Sequence, residues 1–237
     1  MPNALAPFVA QLDTCGSFEK IDRAAILALP CVVQTFIRDT HVLRQGDSQD
    51  TLLVLIGGFA TCQKLTDEGT RQLVSLNVAG DALNHSSLFL PSADHAVVAL
   101  RNAEIAFIPR EPVLNLLNTH PLIMRAFFRS ALVDASMSRE ALLRMGRRDA
   151  RARIAHFLCE YMARMEARGL ASGRVFTFPL TQEQLGDALG LTAIHVNRTY
   201  NRLVDEGLII QKARCFEIPD IDELRKAGEF NPRYLYL

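Results

Sequence analysis

The sequence predicts an α+β chain: an N-terminal antiparallel β-roll, a long helix, and a C-terminal pair of short helices closed by a hairpin. Three observations carry that prediction. Short apolar runs separated by Gly- and Asp-containing turns fill residues 30–110. Residues 122–145 contain neither Gly nor Pro. After Leu180, two adjoining helical segments each open on a Thr able to cap them, with Gly190 between.

The expected strands are Val32–Phe36, Thr51–Ile56, Phe59–Gln63, Leu73–Leu76, Val97–Leu100 and Ile105–Ile108. Asp67-Glu68-Gly69 supplies a hairpin turn, and Gln45-Gly46-Asp47, Gly57-Gly58 and Ala79-Gly80-Asp81 supply others. From Glu111 the pattern becomes helical, and Pro121 suits the first turn of the long helix. That helix has a seam through Ile123, Phe127, Ala131, Asp134, Ala141 and Met145. A second apolar face comprises Phe128, Leu132, Ala135 and Leu142. Two apolar faces mean either a fully buried core helix or a helix that pairs with a second copy. Gly146-Arg147-Arg148 then reads as a linker, followed by an amphipathic helix over 149–166 and a strand-like Val175–Phe178. The division expected is a roll over 1–118, a dimerisation helix and hinge over 119–146, and a C-terminal domain over 147–237.

The chain has 237 residues, 49% hydrophobic and 22% charged, which is a globular composition large enough to bury its own core. Cys15, Cys31, Cys62, Cys159 and Cys215 are scattered without CxxC spacing, which suits a reducing cytoplasm. The N-terminus lacks a basic signal-peptide region, and no run of about 18 apolar residues occurs, so no membrane span is expected. Net charge is zero, but it is distributed unevenly. Up to Gly146 there are 12 Lys/Arg against 14 Asp/Glu, and beyond it 14 against 12. The sign favours an anionic partner for the C-terminal half. No GxSxG, HExxH, P-loop or GxGxxG pattern occurs. Asp81 with His85, or Asp94 with His95, would be the acid–base pairs available, and turn residues of these types are too common to indicate an enzyme.

Residues 180–218 are the most informative. Thr181 and Gln184 form a capping box, Gly186 permits a close approach, Gly190 ends the first helix, and Thr192 caps the second. Leu185, Leu189, Leu191, Val196, Tyr200 and Leu203 make an inward core, so Ile194, His195, Asn197, Arg198 and Asn201 point outward. This is the layout of a helix-turn-helix. Asn and Arg on such a face suit base edges, with Arg198 the expected guanine reader. Thr181, Gln182 and Thr192 stand at helix N-termini, where phosphates bind. Leu208-Ile209-Ile210 and Cys215–Ile218 form a wing with Lys212 and Arg214 at its tip, placed for backbone phosphates.

With Gly-Leu-Thr-Ala-Ile-His-Val-Asn-Arg-Thr in its second helix, and an ending Phe230-Asn-Pro-Arg-Tyr-Leu, the sequence resembles the Crp/Fnr family. The match is to a proteobacterial subgroup with a His-Val-Asn-Arg recognition helix. The resemblance implies a cyclic-nucleotide-binding-like β-roll (a jelly roll), a dimerisation helix and a winged helix-turn-helix. It also implies a homodimer on a palindromic double-stranded operator, acting with RNA polymerase. Arg198 falls on the family's base-reading arginine, whereas Ile194 stands where many members carry glutamate. The effector cassette reads Gly80-Asp81-Ala82-Leu83-Asn84-His85, then Ala93-Asp94-His95-Ala96, without the arginine a cyclic phosphate needs. Asp81, Asn84, His85 and His95 are the candidate effector-pocket residues. Neither cyclic AMP nor an iron–sulfur cluster is expected as a cofactor, since Cys15 with Cys31 does not group four ligands. Haem through His85 or His95 stays open, as does Cys159 as a redox handle. The function expected is a DNA-binding regulator with a degenerate sensor. The alternative is a sensor whose DNA binding requires haem or another small molecule.

Overall fold

The computed structural model describes residues 3–171, 173, 175–212 and 215–237. The chain divides into two compact units, residues 1–132 and 133–237.

The first unit opens on two helices that the sequence pattern did not announce, α1 (Ala6–Cys15) and α2 (Lys20–Leu27). Helix α1 has no side-chain cap, and burial of Phe8, Val9 and Leu12 supports it instead. Seven strands follow: β1 (Val32–Phe36), β2 (His41–Leu43), β3 (Thr51–Gly57), β4 (Ala60–Leu65), β5 (Arg71–Asn77), β6 (Ala96–Ala99) and β7 (Ala103–Pro109). They form two antiparallel sheets, ordered β1-β7-β3 and β2-β6-β4-β5, and this is the expected roll. Only β2 had not been anticipated, because three residues carry too little alternation.

The unbroken apolar run of β3 reflects burial on both faces. Leu53 and Leu55 join Ala60, Cys62, Val97 and Ile105 between the sheets. Leu52 and Val54 turn the other way, to a second core that contains α1, Ile26 of α2, and Val113, Leu116 and Leu117 of α3 (Arg110–Thr119). Ile123, Ala126 and Phe127 of α4 (Pro121–Arg147) complete that core. Pro121 opens α4 as expected, but the helix continues through Gly146 to Arg147, leaving only Arg148 and Asp149 before the next helix. The Gly146 linker is therefore corrected. Asp149 caps the following helix by accepting the Ala152 N–H, so the break in the backbone falls at the cap rather than at the glycine. The fully buried reading of α4 is also corrected, since Phe128 and Leu142 are 63% and 67% exposed in the single chain.

The second unit is organised around α5 (Ala150–Ala167), which is buried on almost every side. Helices α6 (Gln182–Leu189), α7 (Ala193–Asp205) and α8 (Ile221–Gly228) surround it, with a sheet ordered β8-β10-β9. Its strands are β8 (Val175–Thr177), β9 (Ile210–Lys212) and β10 (Cys215–Glu217). Within the sheet Phe216 stands perpendicular to Phe176 at 4.4 Å, and Tyr161 of α5 presents its ring to Phe176 at 6.4 Å and to Phe178 at 5.7 Å. The Tyr161 hydroxyl donates to the Thr177 carbonyl at 2.6 Å.

A buried ionic group lies within this unit. Arg144 of α4, 5% exposed, meets Glu160 of α5, 9% exposed, at 3.3 Å. Tyr234 donates its hydroxyl to the same Glu160 oxygen at 2.8 Å, and Arg148 pairs with Glu140 at 2.8 Å. Arg144 also donates to His156 Nδ1 at 3.4 Å. Burial and the two arginine charges push His156 down to about 3, so it stays neutral. Among the described residues, no helix is long and apolar enough to cross a membrane.

Candidate nucleic-acid interface

The helix pair α6–α7 forms for local reasons. Thr181 Oγ1 accepts the Gln184 N–H at 3.1 Å, while Gln184 Oε1 accepts the Thr181 N–H at 3.0 Å, closing the capping box. Gly190 takes the left-handed conformation with φ 64° and ends α6. Thr192 then caps α7 by accepting the His195 N–H at 3.2 Å. At Gly186 a Cβ would run into the Leu191 carbonyl oxygen, so the glycine admits the turn backbone rather than the second helix itself. Leu185, Leu189, Val196, Tyr200 and Leu203 are buried, as the inward core requires, whereas Leu191, in the turn itself, is only half-buried.

The outward face follows. Ile194, Asn197, Arg198 and Asn201 are exposed, and His195 is half-buried. Thr181, Gln182 and Thr192 are exposed at the helix starts. Both threonine oxygens accept cap bonds, which leaves their hydroxyl protons available to a phosphate oxygen.

Two features of this face are invisible in sequence. Asn197 donates to Gln182 Oε1 at 2.9 Å, and Asn201 donates to Asn197 Oδ1 at 3.3 Å, so a polar chain runs from the start of α6 across α7. Glu206 binds Arg151 at 2.8 Å through Nε and Arg202 at 2.8 Å through Nε. Those arginines, Arg151 first, hold its carboxyl below the usual carboxylate range. Among the described residues, Arg202 is thus engaged, while no ion pair or hydrogen bond holds the Arg198 guanidinium. A further arginine that pattern reading missed, Arg153, donates to the Leu189 carbonyl at 3.2 Å and secures the end of α6. The wing strands pair as expected, Cys215 with Lys212 and Phe216 with Gln211. The Lys212 side chain and Arg214 lie outside the described residues.

A model of the Crp-like helix-turn-helix domain matches residues 152–227, and a model of the cyclic nucleotide-binding domain matches residues 33–120. The chain carries, in order, the two domains of a Crp/Fnr-type regulator. It is a DNA-binding transcription regulator of that type. It is 28% identical over 187 residues to a probable transcriptional activator of Rhizobium leguminosarum bv. viciae, covering 78% of this chain and 77% of that one. To the transcriptional activator protein Anr of Pseudomonas aeruginosa it is 26% identical over 222 residues, covering 93% and 88%. The solved structure of FixK2 from Bradyrhizobium japonicum shares its fold, with TM-score 0.74 at 21% identity over 84% of this chain and 98% of that one.

In this Crp/Fnr regulator the four effector-cassette residues take separate partners. Asp81 accepts the Val78 N–H at 2.8 Å and closes a turn. Asn84 accepts the Leu53 N–H at 2.8 Å and donates to the Thr51 carbonyl at 3.0 Å, clamping β3. His85 packs on Phe127 of α4, its Nε2 is 3.4 Å from Ser130 Oγ, and burial pushes it down to about 4. His95 instead meets Asp94 at 2.7 Å and the Leu83 carbonyl at 2.9 Å. The domain type implies a cyclic nucleotide, and the residues do not fit one. Residues 80–96 contain no Lys or Arg, and they offer a phosphate the carboxylates of Asp81 and Asp94. Cys159 is buried, its thiol pushed up to about 12 by that burial, and it serves as a small apolar group.

Proposed function

We propose that the regulator reads a palindromic operator as a homodimer, with α7 in the major groove and Arg198 as its principal base reader. The observation that carries this reading is the exposed, unpartnered Arg198 guanidinium beside a fixed row of amides on α7. A guanidinium presented in this way can bond a guanine edge in bidentate fashion without first breaking an ion pair. The hydroxyls of Thr181 and Thr192 and the wing cations would hold phosphates, and Asn197, His195 and Asn201 would complete the reading face. Arg198→Ala is expected to weaken operator binding by about 1–3 kcal/mol and to relax specificity at one base pair per half-site. Competition titrations against operator and random duplex check this. An equal loss on both duplexes would make Arg198 a phosphate contact and overturn the assignment.

The homodimer rests on α4, where Phe128, Leu132, Leu142 and Leu143 present apolar side chains to solvent in the single chain. Spacing of roughly one heptad between Phe128, Ala135 and Leu142 suits helix pairing. Sedimentation should give a dimer at micromolar concentration, and Leu132→Glu with Leu142→Glu should give a folded monomer. A monomeric wild-type protein would refute the pairing. Like the activators it resembles, the regulator would act in the cytoplasm through contact with RNA polymerase.

A further inference from the structure

Glu206 directly follows α7, at its C-cap. The helix dipole is negative at that end, where cations rather than carboxylates stabilise a helix. Two arginines hold Glu206 there. Arg202, one turn back on α7, donates Nε to Oε1 at 2.8 Å. Arg151 of α5 donates Nε to Oε2 at 2.8 Å and Nη2 to the same oxygen. A guanidinium has five N–H donors, and these bonds use only part of each set. Among the described residues Arg202 makes no other hydrogen bond or ion pair, and its side chain is 67% exposed. The carboxylate cancels one of the two cationic charges, so the group keeps a net positive charge.

The group sits at one edge of the outward face of α7. Arg202 lies four residues beyond Arg198, and residues at that spacing are neighbours on a helix surface. With 13 residues the helix is about 20 Å long, whereas the major groove is about 12 Å wide. When the N-terminal half of α7 meets the bases, its C-terminal end therefore passes over the edge of the groove, where the phosphates are. Arg151 adds a second positive feature. It stands in the first turn of α5, at the positive end of that helix's dipole.

We propose that Arg202 and Arg151, joined through Glu206, form a binding site for one backbone phosphate of duplex DNA, flanking the bases that Arg198 reads. The inference rests on the placing of α7 in the major groove. It adds two cations on α5 and α7 to the phosphate contacts expected from Thr181, Thr192 and the wing. Exposed ion pairs add little to stability, so the cost of losing either arginine falls on binding rather than on folding.

The test measures binding of the full chain to a random-sequence duplex, and to a duplex selected from a random pool by the wild-type protein, across a salt series. Arg202→Gln is expected to weaken both by the same factor, about fivefold, and to lower the slope of log affinity against log salt by about one. Arg151→Gln should lower the slope likewise, with a wild-type urea midpoint. A wild-type slope in either variant, which is what a purely structural bracket gives, would overturn the proposal. So would a loss confined to the selected duplex, which would make Arg202 a base reader. Arg198→Ala separates this inference from the reading beneath it. Lost preference for the selected duplex in Arg198→Ala, with a wild-type slope in Arg202→Gln, would keep the groove reading and remove the phosphate site. Retained preference in Arg198→Ala would overturn both.

Discussion

Gly186→Val is expected to abolish operator binding and to strip the helix pair of its protection against amide exchange, while the strands of the roll keep theirs. The reason is geometric. The added Cβ meets the Leu191 carbonyl oxygen, and that carbonyl has nowhere to go. Leu191 is fixed by its own N–H bond to the Gly186 oxygen at 3.1 Å, by the left-handed Gly190 before it and by the Thr192 cap after it. Opening the turn separates Leu185 and Leu189 from Val196 and Leu203. We expect a loss of about 3 kcal/mol, at the upper end of the usual cost of overpacking. Hydrogen exchange resolved by segment checks it: residues 181–205 should exchange freely, with β3 and β7 unchanged. Normal protection and normal operator affinity in the variant would contradict this account of the turn.

Glu160→Ala should be comparably damaging, by a different route. It leaves Arg144, 5% exposed, without the carboxylate 3.3 Å away, and it leaves the Tyr234 hydroxyl without its acceptor. Breaking one side of a buried ion pair typically costs about 3–5 kcal/mol, because the remaining charge cannot recover its water. The paired change Arg144→Met with Glu160→Met removes both charges and should recover most of the loss. Urea denaturation of Arg144→Met, Glu160→Met and the double variant gives the coupling directly. If Glu160→Ala were as stable as wild type, the pair would not be desolvated as described.

The parts of this regulator that pattern reading captured are those determined within a few residues. Thr181 with Gln184, Gly190 and Thr192 are local devices, so the helix pair was legible in full. The apolar runs at Thr51–Ile56 and Ile105–Ile108 likewise located β3 and β7, because strands buried on both faces remain continuously apolar. What escaped depends on tertiary contact. Helix α1 lacks a cap and exists through the core that Phe8 and Leu12 enter. Gly146 reads as a break by composition, yet the helix passes through it, at a cost of about 1 kcal/mol relative to alanine. Within the cassette, no periodicity tells that His85 turns to Phe127 of α4 while His95 turns to the Leu83 carbonyl, because both lie in the short, irregular stretch between β5 and β6. Asn197 was legible as an outward residue but not as the partner of Gln182, which belongs to a different helix.

That last bond changes how discrimination at this surface works. Under the proposed reading, a base edge approaching Asn197 would meet an amide that already donates one N–H to Gln182 and accepts one bond from Asn201, with its second N–H and second lone pair still to offer. Recognition there would add to the resident bonds, with the bond to Gln182 fixing the plane in which the remaining N–H and oxygen are presented. A base whose edge does not match that fixed plane would go unbonded, without any clash. The same chain of amides is held in register before any DNA arrives, so little side-chain freedom would remain to be lost on docking.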